Sequence, residues 1–554
     1  MHRAFELARV AALFLFGLAL GLHFARMGYM PLDQSICFDG GWRWLSGELP
    51  FADYVAPNGF PVHALQAAFF ALFGVDWFAY CLHAAVVNGL AVVLVDRLLV
   101  RLGLARAAAS VFAACTAIAF YPPFGVPYMD QHAFFFALVA LVAALEAARA
   151  RTARQVQLLW WCSGVALALA YLCKQIPSVF FAPLVAWIAV WSERRVFRGL
   201  WNAAKGALAT FAVVLAAGAL LVPEFAYRVR TYWLDLPSEE GARRLGYVPD
   251  VGSILRRFEE TRVQLDLWSI TAVHLLCVPS ALVGLALLRR AWREREWRWG
   301  AVLGRAAAAE CVLLSCLMFI ALTGNDKEIG VPLVFASTGL AAAALATLGS
   351  VGGAARRWVS RAAVLLLALI AARDAWTFGE RVVATRKVND MTFDAALAEA
   401  SAAELPEEFA YLRWSVPKLV RYTPSDLRAL RDYLRSRGGA FFLVGDASPL
   451  YGMLGQPSIS PALWYHPALT FPVPHDPRFP EFEQRLLERF EARGVRTIVI
   501  EPRVWVGYRA PEGETPPARL ITLDSFPRIR AAVDARRVAE RDVGAFHVIE
   551  LADV

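Results

Sequence analysis

The ionisable side chains of this chain sit at the edges of long apolar runs, and that placement limits the chemistry open to them. Asp33, Asp39 and Asp53 follow the first apolar run, inside a loop of residues 31–74. That loop also carries an amphipathic Trp42/Trp44/Leu45 segment and a short apolar stretch. Carboxylates ordered against a bilayer surface exceed what simple connection requires. Asp130 and His132 open a later apolar run, in PYMDQH. Lys174-Gln175, in YLCKQIPSVFFAP, separates two apolar runs, and Pro177 lets the second start as a helix. Groups of this kind at a membrane boundary can exchange protons or hold an anion such as phosphate, which needs a cation and backbone donors.

Each residue also has a plainer reading. Asp33 and Asp130 stand where a helix cap or first-turn acid is favoured, and Asp53 reads as a tie for the loop. Lys174 reads as a snorkelling lysine, although basic residues prefer the inner side of a membrane and this turn is expected outside. Asp130 with His132 makes a single pair of ligands, too few to define a metal centre. No metal ligand is therefore assigned, and a divalent cation is left open. Arg228, Arg230, Arg243 and Arg244 form a charged loop that solvation explains. Glu310 lies within an apolar run four to five residues beyond Arg305, as a partnered pair or as a functional intramembrane acid.

The elements that position these groups are membrane helices. Of 554 residues, 58% are hydrophobic and 19% charged, and the charges cluster between continuous apolar runs. Continuous runs favour helices over a barrel, whose strands alternate. Runs long enough to span occur at 7–27, 77–98, 105–121, 131–148, 158–173, 176–191, 203–222, 267–288, 301–323, 329–348 and 359–372. Residues 61–74 are too short to span readily and read as a re-entrant or interfacial helix. The first run lacks a clear small-residue cleavage site and is read as a retained span, not a signal peptide.

Charge sets the expected orientation. With eleven crossings and the N-terminus in the cytoplasm, basic clusters such as Arg97/Arg101/Arg106, Arg149/Arg151/Arg154 and Arg289/Arg290/Arg293/Arg295 all face inward. A crossing at 61–74 would put every later cluster on the wrong side. The net charge of +8 therefore reports topology, not nucleic acid, because the arginines do not share one soluble face. Trp292, Trp297 and Trp299 read as interfacial anchors.

The expected domains are a membrane region, 1–378, and an extracytoplasmic α/β region, 379–554. In the latter, Thr423-Pro424 opens a helix that Gly438-Gly439 closes. Strands are expected at 440–444, 496–500 and 545–551, with a helix at 481–493. The 8 cysteines all lie within or next to apolar runs, and none follows Phe378, so a disulfide-stapled exported domain is excluded. No phosphate-binding glycine motif occurs in the α/β region.

The order of a first span, an Asp-containing loop, the segment LSGELPFADY at 45–54, a short apolar helix and a second span resembles the GT-C glycosyltransferases. It is most similar to the group of protein O-mannosyltransferases, aminoarabinose transferases and bacterial galacturonosyltransferases. The likeness covers the first third of the chain well and the remaining spans in outline. It implies a polyprenyl-phosphate sugar donor and transfer, on the outer face of a bacterial inner membrane, to an envelope glycolipid, a polysaccharide (lipopolysaccharide included) or a protein. Asp33 then matches the family's catalytic base, since an alcohol is a poor nucleophile until its proton is accepted. Asp39 is the substitute, Asp130 supports the substrate site, and Lys174 with Gln175 matches the donor-phosphate position. Lys327, before Pro332, is a second cation for that phosphate, and Glu328 neutralises it.

Two departures stand out. Many relatives carry Asp-Glu where this chain has Asp33-Gln34, and the aromatic partner usual near Lys327 is missing. Both give weight to a catalytically silent scaffold. A transporter or flippase of lipid-linked substrates is the alternative from another class, but it would spread charge along mid-membrane helices. Here the polar groups collect at the outer boundary.

Overall fold

The computed structural model describes the chain except residues 1, 57, 193–195, 247–249, 278–296, 324–328, 351–352, 386–392, 416–420, 466–468, 473, 503–522 and 554. Its membrane region contains α1 (His2–Ala25), α2 (Pro31–Leu45), α3 (Phe60–Phe73), α4 (Trp77–Arg101), α5 (Arg106–Ala119), α6 (Met129–Ala147), α7 (Ala153–Cys173), α8 (Gln175–Ser192) and α9 (Val196–Leu221). Short helices α10 (Phe225–Val229), α11 (Leu236–Leu245) and α12 (Val251–Leu265) follow α9. Helices α13 (Trp268–Cys277), α14 (Trp297–Thr323), α15 (Val334–Ser350) and α16 (Ala354–Phe378) complete the bundle.

Among the described residues, seven helices are long and apolar enough to cross a membrane: α1, α4, α6, α7, α9, α14 and α16. Each remaining expected span also has a helix, but α5, α8, α13 and α15 are shorter apolar helices. Helix α5 stops early because Pro122 and Pro123 follow it, and proline has no N–H to continue the ladder. The rest of the span expected at 267–288 lies outside the described residues. Helix α3 has 14 residues, short as the sequence indicates. The chain is a polytopic membrane protein, and its exposed apolar side chains agree with this. Leu208, Val213 and Leu220 on α9 are 60%, 69% and 85% exposed, a surface that only lipid would cover.

Close helix contact comes from small residues. A Cβ on Gly21 would fall 2.7 Å from Ala85 Cα, and one on Gly17 would fall 2.9 Å from Gly89 Cα. The Gly17-x3-Gly21 stripe of α1 thus lies directly on α4, the usual device for packing without a hydrophobic drive between helices. Asn88 of α4 secures the crossing by donating to the carbonyl of Gly17 at 2.7 Å.

Beyond α16 the chain passes a π turn, Gly379–Val383, and α17 (Ala395–Ala400), and then builds a small α/β unit. Its helices are α18 (Pro424–Arg437), α19 (Pro449–Met453), α20 (Phe479–Ala492) and α21 (Pro527–Arg536). Its strands are β1 (Ala440–Val444), β2 (Val495–Ile500), β3 (Arg537–Val543) and β4 (Phe546–Leu551), in sheet order β1-β2-β4-β3. The β1–β2 pair is parallel and the other pairs are antiparallel. Thr423 caps α18 in a capping box with Asp426, where the Thr-Pro-Ser-Asp pattern places it. Strand β3 was not expected. Its sequence RVAERDV is charged on both faces, and its residues are half-buried or exposed, as befits an edge strand.

Helix α2 belongs to this unit as much as to the bundle. Tyr29, Ile36 and Phe38 share one apolar core with Phe409, Trp414, Tyr451 and the sheet. Backbone bonds join the two parts: Tyr29 N–H donates to Ser415 O at 2.6 Å, and Val55 N–H to Pro461 O at 2.6 Å.

Candidate active site

The start of α2 is fixed from three sides, and this fixes Asp33. Met30 is the N-cap and Pro31 occupies the first turn, so Asp33 does not cap the helix. As a first-turn acid it gains from the helix dipole. Its neighbour Gln34 is buried; its side-chain oxygen accepts from Met30 N–H at 2.9 Å, and its nitrogen donates to Phe124 O at 2.8 Å. Tyr80 of α4 donates its hydroxyl to Gln34 O at 2.6 Å. The Phe124 carbonyl needs a donor, which an ionised glutamate lacks. This gives the Asp33-Gln34 pair a structural reason.

Phe124 belongs to the loop that leads into α6, so the same bond fixes Asp33 relative to Asp130. Asp130 is fully buried in the first turn of α6. Its Oδ1 lies 3.6 Å from Lys174 Nζ, which comes from the junction of α7 and α8. The lysine side chain retains 18% exposure against 1% for the aspartate. It also lies 5.9 Å from the centre of the Phe319 ring. Cys37, one turn beyond Asp33 on α2, reports both acids. Burial pushes its thiol up, and the charges of Asp130 and then Asp33 push it further. Three segments far apart in sequence therefore converge at one end of the bundle.

The other expected residues have different surroundings. Asp39 is buried, with Oδ2 accepting from Arg43 Nε at 2.8 Å and Oδ1 from Ser458 Oγ at 2.5 Å. Arg43 continues to Glu48 at 3.1 Å and to Ser460 O at 2.8 Å, and Arg489 meets Glu48 at 2.8 Å. Burial raises Asp39 above the usual carboxylate range, and Arg43 and Ser458 oppose the rise. Asp39 thus clamps α2 to the α/β unit. Gln175 starts α8, and its carbonyl accepts from Ser178 Oγ at 2.7 Å. Asp53 accepts from Leu49 N–H at 2.8 Å, as a loop tie does.

His132 turns from Asp130 into the bundle, where its Nδ1 meets Tyr121 Oη at 2.5 Å and its Nε2 meets His83 Nε2 at 3.0 Å. Among the described residues no three His, Cys, Asp or Glu gather so as to hold a metal ion. The Asp130–His132 pair does not fit a cation site. Arg228 donates to the carbonyls of Phe51 and Ala52 at 2.8 and 3.0 Å, and Arg230 lies 3.5 Å from Asp235. Glu310 pairs with His274 at 2.7 Å, not with Arg305. Lys327, Glu328 and Trp292 lie outside the described residues, as do the side chains of Arg243, Arg244, Trp297 and Trp299.

Sequence reasoning missed one pair of acids. Asp446 and Glu501 follow β1 and β2 at the carboxyl ends of the two parallel strands. Glu501 Oε2 accepts from the backbone N–H groups of Asp446 and Ala447 at 2.5 and 3.1 Å. Burial pushes Glu501 up to about 7 against these bonds. Asp446 rises well above the carboxylate range through burial first, then the charge of Glu501, with a smaller contribution from Asp33. The α/β unit thus presents its strand ends to the start of α2. The available signal was an acid within two residues of the end of each apolar strand, in LVGD and VIE.

No protein-family model and no curated protein sequence matches the chain. Among solved structures, an Archaeoglobus fulgidus oligosaccharyltransferase in complex with zinc and sulfate is similar at 14% identity and a TM-score of 0.45. That likeness covers 88% of this chain and 68% of the other. ArnT from Cupriavidus metallidurans bound to undecaprenyl phosphate is similar at 13% identity and a TM-score of 0.42, over 99% of this chain and 98% of that one. Its apo form gives 15% identity and a TM-score of 0.40 over the same shares. Likeness at this level is too distant to carry a function from one chain to another.

Proposed function

We propose that the chain is a GT-C-type glycosyltransferase. It takes a sugar from a polyprenyl-phosphate donor and transfers it to a hydroxyl of an envelope glycolipid, polysaccharide or protein, on the outer face of a bacterial inner membrane. The observation that supports this reading best is the Lys174–Asp130 pair, set beside the α2 turn that bears Asp33 at one end of the bundle. A phosphate that carries a lipid tail is confined to such a boundary, where a partly exposed ammonium can meet it.

Each residue then has a defined task. The acceptor hydroxyl oxygen bonds to the anomeric carbon of the donor while the bond from that carbon to the phosphate oxygen breaks. Attack opposite the leaving group inverts the anomeric centre. The hydroxyl proton passes to Asp33, and the polyprenyl phosphate leaves with the electron pair, its charge met by Lys174. Asp130 positions Lys174 and keeps its ammonium at the boundary. Lys327 is a second cation for the same phosphate in this proposal, and Gln175 a polar neighbour. The N-terminus is cytoplasmic and the α/β unit, 379–554, lies outside.

Lipid analysis of a strain that lacks the chain tests the proposal. An accumulated polyprenyl-phosphate sugar with an under-glycosylated envelope component is expected. If neither changes and the purified chain moves lipid-linked sugar across proteoliposomes without an acceptor, it is a carrier and not a transferase.

A further inference from the structure

Arg228 of α10 and Arg485 of α20 reach the same backbone turn from two sides. Arg228 Nη1 donates to Phe51 O at 2.8 Å and to Ala52 O at 3.0 Å, and Arg485 Nη2 donates to Ala52 O at 3.0 Å. Phe51 is buried at a φ of 65°, a left-handed conformation that bulky residues rarely take. Strain of this kind persists where the surroundings impose it, and it gathers at ligand sites.

Two guanidiniums on one carbonyl repel each other and call for a counter-charge. Among the described residues no carboxylate lies within ion-pair distance of either, and the buried Arg228 Nε and Arg485 Nη1 have no hydrogen-bond partner. The acids of the neighbouring segments are engaged elsewhere. Glu481, one turn before Arg485, accepts from Tyr227 Oη at 2.7 Å. Glu239 pairs with Arg478 at 2.8 Å, Asp235 with Arg230 at 3.5 Å, and Glu48 with Arg489 at 2.8 Å. Burial lowers Arg485 from the ordinary guanidinium range and the charge of Arg228 lowers it further, against Tyr232 and Glu481.

The turn sits close to the donor end of the proposed reaction. Phe51 and Phe60 share an apolar cluster with Tyr232 and with Leu172, which precedes Cys173 and Lys174. Gly59 N–H also donates to Leu172 O at 3.2 Å. Lys174 already serves the donor phosphate in that reaction, so a second cationic site, half of it supplied by the α/β unit, suits the other substrate. We propose that Arg228 and Arg485 bind an acidic group, phosphate or carboxylate, carried by the acceptor. Each guanidinium has about five N–H donors, and the carbonyls of the turn engage one nitrogen of each. Guanidinium forks suit the paired oxygens of such an anion. That the acceptor carries the group rests on the transferase reading; the anion site does not.

The test uses the full chain in detergent, without donor or acceptor, titrated with phosphate, glucuronate or glucose at constant ionic strength. A saturable rise in melting temperature is expected with at least one of the two anions and not with glucose; the anion that acts at lower concentration names the acidic group. The Arg228→Gln/Arg485→Gln variant should need about tenfold more anion, or more, for the same fractional rise, and Lys174→Ala no more than the parent. An equal rise with glucose, no rise with either anion, or an undiminished response in a folded double variant would overturn the proposal. So would loss of the response in Lys174→Ala, which would move the anion to the donor site. Should the double variant not fold, amide exchange of the parent decides: the anion should slow exchange at 49–55 and 225–232, and protection confined to other segments contradicts the site. No transfer is measured, so a negative result strikes the anion site and leaves the proposed reaction to its own test.

Discussion

Lys174 Nζ lies 3.6 Å from Asp130 Oδ1, joining the α7–α8 junction to the first turn of α6. The pair is asymmetric, with a buried acid and a partly open cation. Asp130 therefore acts as the fixed partner and Lys174 as the group free to meet a second anion. Lys174→Ala should raise the donor KM at least tenfold with a smaller change in kcat, because it removes a phosphate contact made before and during transfer. Lys174→Arg should restore part of the loss. Unaltered kcat and KM in Lys174→Ala would remove Lys174 from the donor site.

Asp130→Asn should affect both stability and binding. It leaves Lys174 without its counter-charge, and breaking a largely buried pair costs about 3–5 kcal/mol; the exposure of Lys174 places the loss toward the lower end. The measurement is the melting temperature in detergent together with the donor KM. A stable variant with unchanged KM would mean that the pair positions nothing.

Gln34→Glu inverts the usual expectation for this loop. Although a second acid looks like a gain for a catalytic site, it removes the donor to Phe124 O. A buried carbonyl left unsatisfied costs about 1–3 kcal/mol, and the start of α2 would shift with it. Lower thermal stability and lower transfer are expected together. Higher activity at equal stability would show that the carboxylate is catalytically useful there.

Asp39→Ala should separate structure from chemistry. It leaves Arg43, buried between α2 and the α/β unit, with Glu48 as its remaining carboxylate partner, so the cost lies toward or below the lower end of the ~3–5 kcal/mol for a fully broken buried pair. A fall in melting temperature is expected, with the folded fraction keeping near-normal kcat. A normal melting temperature with abolished transfer would instead make Asp39 the base.

Glu501 gives a pH dependence. Its ordinary value is about 4.5, and burial holds it near 7 in the folded chain. Between these values the folded state binds a proton that the unfolded state lacks, so stability falls as pH rises from about 4.5 to about 7. Melting temperatures at pH 5.5 and 8 should show this fall, and Glu501→Gln should reduce it. A parent chain more stable at pH 8 would contradict the assignment.

What the sequence made legible follows from the range of the interactions involved. The spans could be read because lipid demands long apolar runs, and the cap at Thr423 because it is local. The acids of the first loop were visible for their type and position. Their division of labour was not, since Asp39 is occupied by Ser458, more than four hundred residues away. Gln34 looked like a departure from a pattern until Phe124 supplied its partner. The Asp446–Glu501 pair depends on β1 and β2 lying parallel, which no local signal encodes. Strand β3 was hidden because an edge strand exposed on both faces lacks an alternating pattern.

The central claim is that Asp33 accepts the acceptor's proton. The most direct measurement is sugar transfer in membranes supplied with polyprenyl-phosphate sugar, comparing the parent chain with Asp33→Asn. Loss of a positioned base should lower kcat by about 10²–10⁴-fold, with donor binding and melting temperature unchanged. Full transfer by both Asp33→Asn and Asp33→Ala would contradict it.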